Sequence, residues 1–204
     1  MIVNGIEYDY DRFGILKQNN PQPITYDERY LALQKTTDTM SALRLGFLMS
    51  AIDYPVLAKM DCVDVGVGTG AFIKFCRNAG LTFNGYDVAK SEFNNTTIDE
   101  LHSKHYDLVT CFDCLEHFQN IEDFFKIDFD WAYVSVPALP DDMALFENWR
   151  HRRPSEHLFH FREDSFSSWA NSHGYGVERV GCPEDLIRKR WDAKYANILS
   201  FIIH

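Results

Sequence analysis

Apolar residues change their spacing along the chain in a regular order. Cys62 to Val65 is a short apolar run that stops at glycines, the pattern of a buried strand. Ala71 to Ala79 then switches to helical spacing, with Gly80 as its stop. Leu81 to Tyr86, Tyr106 to Phe112 and Trp131 to Val136 predict three more strands. Glu163 to His173 predicts an amphipathic helix that buries Phe166, Trp169 and Ala170 and ends at Gly174. Tyr175 to Val180 and Ala196 to Ile203 predict the last two strands. Upstream, Thr25 and Glu28 form a capping box for one helix. Thr37 or Asp38 caps a second, with Met40, Leu43, Phe47, Leu48 and Ala51 at helical spacing and Pro55 just beyond its end. Asn19, Asn20, Pro21 and Pro23 break any regular pattern before that, so residues 1–24 predict a lead-in arm.

Strands alternating with helices predict an α/β fold, a doubly wound sheet that is mostly parallel with helices on both faces. No convincing crossover helix joins the last two strands, although Asp185 to Lys194 has room for a helical turn. They predict an antiparallel edge at the C-terminus. The expected organisation is one domain over 1–204, with an arm and helical lead-in over 1–55 and the core over 60–204.

Composition narrows the chemistry. With 46% apolar residues in 204, the chain has enough for one large core, which excludes a disordered or collagen-like chain. A net charge of −10 disfavours general coating of phosphate backbones or anionic lipid, although local basic patches stay open. Five cysteines, an odd number, predict reduced thiols rather than a disulfide framework. The N-terminus has no basic segment followed by an apolar one, and Leu43 to Leu57 is too short and too polar to span a bilayer. A cytoplasmic protein is expected, with no membrane partner.

The segment Asp64-Val65-Gly66-Val67-Gly68-Thr69-Gly70 follows a strand and opens a helix. Glycines there allow a tight turn and close approach of the backbone to a ligand. Asp87 ends the next strand, 21 residues after Gly66. A carboxylate at that place can accept from both hydroxyls of a ribose. Loop and acid together point to a nucleoside cofactor, against the plainer reading of a strand–helix turn beside a surface acid. Gly66-x-Gly68-x-x-Ala71 also satisfies the loose dinucleotide fingerprint, so a nicotinamide oxidoreductase is one reading. No Tyr/Lys or His pair after the fourth strand supports it. An acid inside the strand, Asp64, repels a pyrophosphate.

The form Asp64-x-Gly66-x-Gly68-x-Gly70 resembles the first motif of class I S-adenosylmethionine-dependent methyltransferases. Ala42-Leu43-Arg44-Leu45-Gly46-Phe47 and the run Tyr106 to His117 resemble segments of the ubiquinone-biosynthesis O-methyltransferases, and the resemblance covers residues 40–180. It implies a Rossmann-like core that binds S-adenosylmethionine. Gly66, Gly68 and Gly70 would pack against the cofactor, and Asp64 would lie near the methionine amino group. Asp87 would bind the ribose and Arg44 the methionine carboxylate, with Asp113 also in the cofactor-binding set. The plainer reading of Arg44 is a solvated helix charge. Only 18 residues separate Asp87 from Tyr106, where the family has a helix and a strand. Ile98, Asp99 and Glu100 are the candidates for the adenine side.

Asp113, Glu116 and His117 follow the third clear strand. If the chain turns helical there, positions i, i+3 and i+4 share a face. Two carboxylates and an imidazole suit Mg²⁺, Mn²⁺ or Zn²⁺. Similar clusters hold a metal in the ubiquinone O-methyltransferases and in small-RNA 3′-terminal 2′-O-methyltransferases. By that resemblance His157, in Glu156-His157-Leu158-Phe159-His160-Phe161, is the fourth ligand. Asp113 stands where those families have Glu. The plainer reading is a metal-free turn that walls the substrate pocket. His117 and His157 are the candidate general bases, and His160 is expected in the core. Arg150, His151, Arg152 and Arg153 form one basic cluster and Arg188, Lys189 and Arg190 another, each either solvated or able to receive an anionic acceptor. Phe118, Trp149 and Phe159 are candidate lining for an acceptor pocket. Cys111-x-x-Cys114 is a lone pair, with Cys111 expected in strand core. The expected activity is methyl transfer to oxygen of a small-molecule acceptor. An RNA 2′-O-methyltransferase with a metal site and a cofactor-binding subunit without turnover are the alternatives, so nucleic acid stays open as a partner.

Overall fold

The computed structural model describes residues 1–25, 36–89, 91–187 and 198–204. Where the sequence predicts an irregular arm, the chain instead starts with a small sheet. β1 (Ile2–Val3) and β2 (Ile6–Tyr10) pair antiparallel around Asn4 and Gly5, which have φ of 49° and 76°. Asn-Gly suits such a turn because its left-handed backbone matches the twist of the flanking strands. β3 (Leu16–Gln18) adds to β2. The breakers from Asn19 onward end this sheet and say nothing about the residues before them. Glu28 and the helix expected after Thr25 lie outside the described residues.

α1 (Asp38–Leu48) starts at Thr37, whose hydroxyl accepts from the Met40 N–H at 3.2 Å. Pro55 does not simply follow this helix but sits in the first turn of the short α2 (Tyr54–Leu57). β4 (Cys62–Val65), α3 (Ala71–Asn78) and β5 (Phe83–Tyr86) follow as the apolar spacing predicts. The gap after Asp87 holds α4 (Ile98–Ser103). Thr97 and Glu100 cap it reciprocally: the Thr97 hydroxyl accepts from the Glu100 N–H at 3.2 Å, and the Glu100 carboxylate from the Thr97 N–H at 2.8 Å. Then come β6 (His105–Phe112), β7 (Asp128–Pro137), β8 (Phe159–His160), α5 (Glu163–Ser172), β9 (Val177–Gly181) and β10 (Ile198–Ile203). A 3-10 turn at Pro183–Leu186 overlaps only the start of the turn expected within Asp185 to Lys194, and residues 188–194 lie outside the described residues.

The large sheet has the order β5-β4-β6-β7-β10-β9. β5, β4, β6 and β7 are parallel, and β10 runs antiparallel to both β7 and β9. This is the mostly parallel sheet with an antiparallel C-terminal edge that the sequence predicts. β8 joins β3, so the N-terminal strands form a second sheet of order β1-β2-β3-β8.

Alternate residues of the large sheet feed two cores. Val63, Val65, Val109 and Cys111 pack with Leu101 of α4 and with Phe166, Trp169 and Ala170 of α5. Cys62, Leu108 and Phe112 pack with Leu45 and Leu48 of α1 and with Phe72, Ile73 and Cys76 of α3. Burying each large side chain contributes about 1.5–3 kcal/mol, which outweighs the weak local propensity of short strands. No helix among the described residues is long and apolar enough to cross a membrane.

Candidate active site

The parallel strands end on one side of the sheet, and a cleft of about 920 Å³ opens there. In open α/β sheets this edge is where ligands bind. Arg44, Asp64, Gly66, Asp87, Ile98, Asp113, Glu116, His117, Arg153 and His157 all line it.

The turn after β4 is held open by an absent side chain. Gly66 has φ 78°, and a Cβ on it would overlap Sγ of Cys114. Glycine alone lets the turn pass so close to the chain after β6. The Gly68 N–H donates to Asp87 Oδ2 at 2.7 Å, and the Ala89 N–H to Oδ1 at 2.8 Å. Asn94 secures the same loop by donating to the carbonyls of Asp87 and Ala89, at 2.5 and 3.1 Å. A carboxylate has about four lone-pair sites, so Asp87 can still accept from a ligand. Asp64 stands directly across from Thr110 in the β4–β6 register and accepts its hydroxyl at 2.7 Å. Burial pushes the Asp64 carboxyl up to about 7, against the opposing pull of that bond and of Arg44.

Arg44 is 4% exposed, which rules out the solvated-charge reading. Its Nε donates to Glu184 at 2.6 Å and its Nη2 to Asp113 at 2.9 Å. Its guanidinium also lies 4.4 Å from the centre of the Phe112 ring. Burial disfavours the charge, but Glu184 and Asp113 outweigh it and hold the pKa above its ordinary value.

The expected Asp113–Glu116–His117 helical face does not form. Asp113 is left-handed (φ 49°), and Leu115–His117 is a 3-10 turn. That backbone sends Asp113 to Arg44. The ligand-type atoms that do converge, all within 4.8 Å of one another, belong to Glu116, His117 and His157. Asp113 is therefore corrected from metal candidate to partner of Arg44. The His117 and His157 rings are 4.6 Å apart, and His117 Nε2 lies 3.9 Å from Glu116 Oε1. Both Glu116 carboxylate oxygens and His157 Nδ1 are buried without a hydrogen-bond partner. Burial, reinforced by Asp113, drives the Glu116 carboxyl well above its usual range. Burial also lowers His117 to about 4 and pushes His157 down. Both imidazoles are neutral near pH 7 and keep a lone pair for a proton or an ion.

Other expected residues scatter. Ile98 lines the cleft, but the Glu100 carboxylate caps α4, and Asp99 does not line the cleft. Leu101 and His102 line it instead, and the Thr97/Glu100 capping box was the signal that could have found their helix. Phe118 is at the cleft, whereas Phe159 is core and Trp149 packs on Phe146 and His160. His160 is 2% exposed and lowered to about 3 by burial, a core histidine as expected. Cys111 is fully buried strand core. Arg150 and Arg153 reach the cleft, while Arg152 turns away to the carbonyls of Val3 and Glu147. Arg188, Lys189 and Arg190 lie outside the described residues.

The sequence matches a methyltransferase domain family over residues 39–180. No curated protein matches it significantly. Among solved structures, it resembles magnesium protoporphyrin IX methyltransferase from Synechocystis PCC 6803 with bound SAH (13% identity, 86% of this chain and 91% of that one, TM-score 0.58). It also resembles an S-adenosylmethionine-dependent methyltransferase from Mesorhizobium loti (15% identity, 82% and 98%, TM-score 0.55). The methyltransferase domain of bacterial CtHen1-CN is similar as well (15% identity, 82% and 99%, TM-score 0.53). At such identities these three show the shared fold, and the domain match sets aside the nicotinamide reading. The chain belongs to the methyltransferase domain family and is a class I S-adenosylmethionine-dependent methyltransferase.

Proposed function

We propose that this methyltransferase acts on a hydroxyl oxygen of a small-molecule acceptor held beside His117 and His157. Bound S-adenosylmethionine supplies an electrophilic methyl on a sulfonium. The chain's own residues fit it: Gly66, Val67 and Thr69 of the left-handed glycine turn line the cleft where the cofactor backbone would lie. Arg44 takes the methionine carboxylate, and Asp64 and Asp113 face the ammonium. Asp87 accepts the ribose hydroxyls with its remaining lone pairs. Methyl transfer needs orientation of the two reactants and removal of one acceptor proton. The single observation that carries the reading is the His117–His157 ring pair, 4.6 Å apart, in the lining of the cleft. His117 accepts the hydroxyl proton, and His157 packs on its ring and holds it in place.

A second reading has one specific support, the two unpartnered Glu116 oxygens beside two histidines. That donor set fits a divalent ion, which Glu116, His117 and His157 would hold and which would acidify an acceptor hydroxyl, including a ribose 2′-hydroxyl of RNA. Methyl-labelled cofactor offered to panels of hydroxylated metabolites and of RNA, with and without chelator, separates the two. Chelator-resistant labelling of a metabolite supports the first, and chelator-sensitive labelling of RNA the second.

A further inference from the structure

Helix α1 sits unusually close to the end of β9. A Cβ on Gly181 would lie 2.6 Å from Cε2 of Phe47, so any side chain there would force the Phe47 ring to shift. The approach brings Glu184, in the Pro183–Leu186 turn, against Arg44, which is 140 positions away in sequence. Glu184 is completely buried, and its Oε1 accepts from Arg44 Nε at 2.6 Å.

The guanidinium is fixed in three directions. Phe112 lies against one face, 4.4 Å from the ring centre. Glu184 and Asp113 take Nε and Nη2, which form one edge of the fork. The Nη1 donors have no protein acceptor among the described residues, and Arg44 lines the cleft. The end of the fork is thus left for a planar anion, which a guanidinium binds with two parallel bonds.

We infer that Glu184 is a positioning residue for the cofactor: it locks the rotation of Arg44 so that the open end of the fork meets the amino-acid carboxylate of the methionine moiety. This rests on the assignment of Arg44 to that carboxylate. Glu184 touches Arg44 and not the cofactor, so its effect depends on whether the ligand carries an amino-acid tail.

The test is calorimetric titration with two ligands, S-adenosylhomocysteine and 5′-methylthioadenosine, which shares the nucleoside and thioether but lacks the amino-acid tail. Glu184→Ala should weaken S-adenosylhomocysteine roughly tenfold or more, the scale of a lost charge-assisted bond, and leave 5′-methylthioadenosine unchanged. Glu184→Gln keeps an acceptor for Nε and should restore most of the loss. Glu184→Asp, one methylene short, should show the selective loss again, and it decides the matter if Glu184→Ala does not fold. Equal weakening of both ligands means a merely structural role and overturns the inference. Unchanged or tighter S-adenosylhomocysteine binding in Glu184→Ala also overturns it, because Glu184 then only competes for Arg44. Arg44→Ala is the control for the underlying assignment. If it fails to separate the two ligands, the carboxylate role of Arg44 is wrong. If it separates them and the Glu184 variants do not, only the Glu184 inference falls.

Discussion

Thr110 and Asp64 face each other across the β4–β6 register, and the Thr110 hydroxyl donates to Asp64 Oδ1 at 2.7 Å. This bond satisfies one side of a carboxyl that is 4% exposed and lines the cleft. Burial nonetheless raises the pKa from 3.8 to about 7. The folded chain therefore holds more protons than the unfolded chain between those values. The carboxyl favours folding least at the alkaline end: its contribution is full at low pH and is lost as pH rises towards 7. The interval corresponds to roughly 4 kcal/mol. Asp64→Asn stays neutral and still accepts from Thr110, so it should flatten the fall in stability that the wild type shows over this range. Urea denaturation of both proteins at several pH values checks this, and identical slopes would refute it.

Gly66 is left-handed, and its missing Cβ is the space that Cys114 occupies. Gly66→Ala should cost about 1–2 kcal/mol for the backbone alone and more for the overlap. Cys114→Gly removes the colliding atoms, so the double variant should recover the part due to overlap. Strict additivity in a denaturation cycle would show that the two residues do not meet.

Asp87 joins the turn to the next strand, bonding the N–H groups of Gly68 and Ala89. Asp87→Ala should weaken cofactor binding by about 1–3 kcal/mol, the range for charge-assisted hydrogen bonds. Calorimetry on a folded variant with unchanged affinity would remove its ribose role.

Much of this site was legible because its signals are local. The glycine run, the apolar strand before it and the acid 21 residues after Gly66 need only sequence spacing. What was not legible depends on backbone turns and distant partners. Asp113 had the right spacing for a helical face, but one left-handed residue redirected it to Arg44. Glu184 carries no motif, and its partner is 140 positions away. The N-terminal sheet has only Asn4-Gly5 as its local signal, and its strands of two, five and three residues are too short for a clear alternation. In α4 only Leu101 is buried, so periodicity had nothing to register.

Glu116 is buried with neither carboxylate oxygen hydrogen-bonded. In chelator, Glu116→Leu should therefore stabilise the protein, since a buried unsatisfied polar group costs about 1–3 kcal/mol. In the wild type, Zn²⁺ or Mn²⁺ should raise the melting temperature only if these oxygens receive an ion, and the Leu variant should be insensitive to either. A destabilised Leu variant in chelator would show that the carboxyl has a favourable partner.

The most direct test is the rate of label transfer from methyl-labelled S-adenosylmethionine to hydroxylated metabolites, compared between the wild type and His117→Ala at matched cofactor saturation. If His117 accepts the hydroxyl proton, the label ends on oxygen and the variant is slower by about 10²–10⁴-fold. Label transferred by His117→Ala at the wild-type rate, or recovered on nitrogen or carbon, would contradict methyl transfer to oxygen through this imidazole.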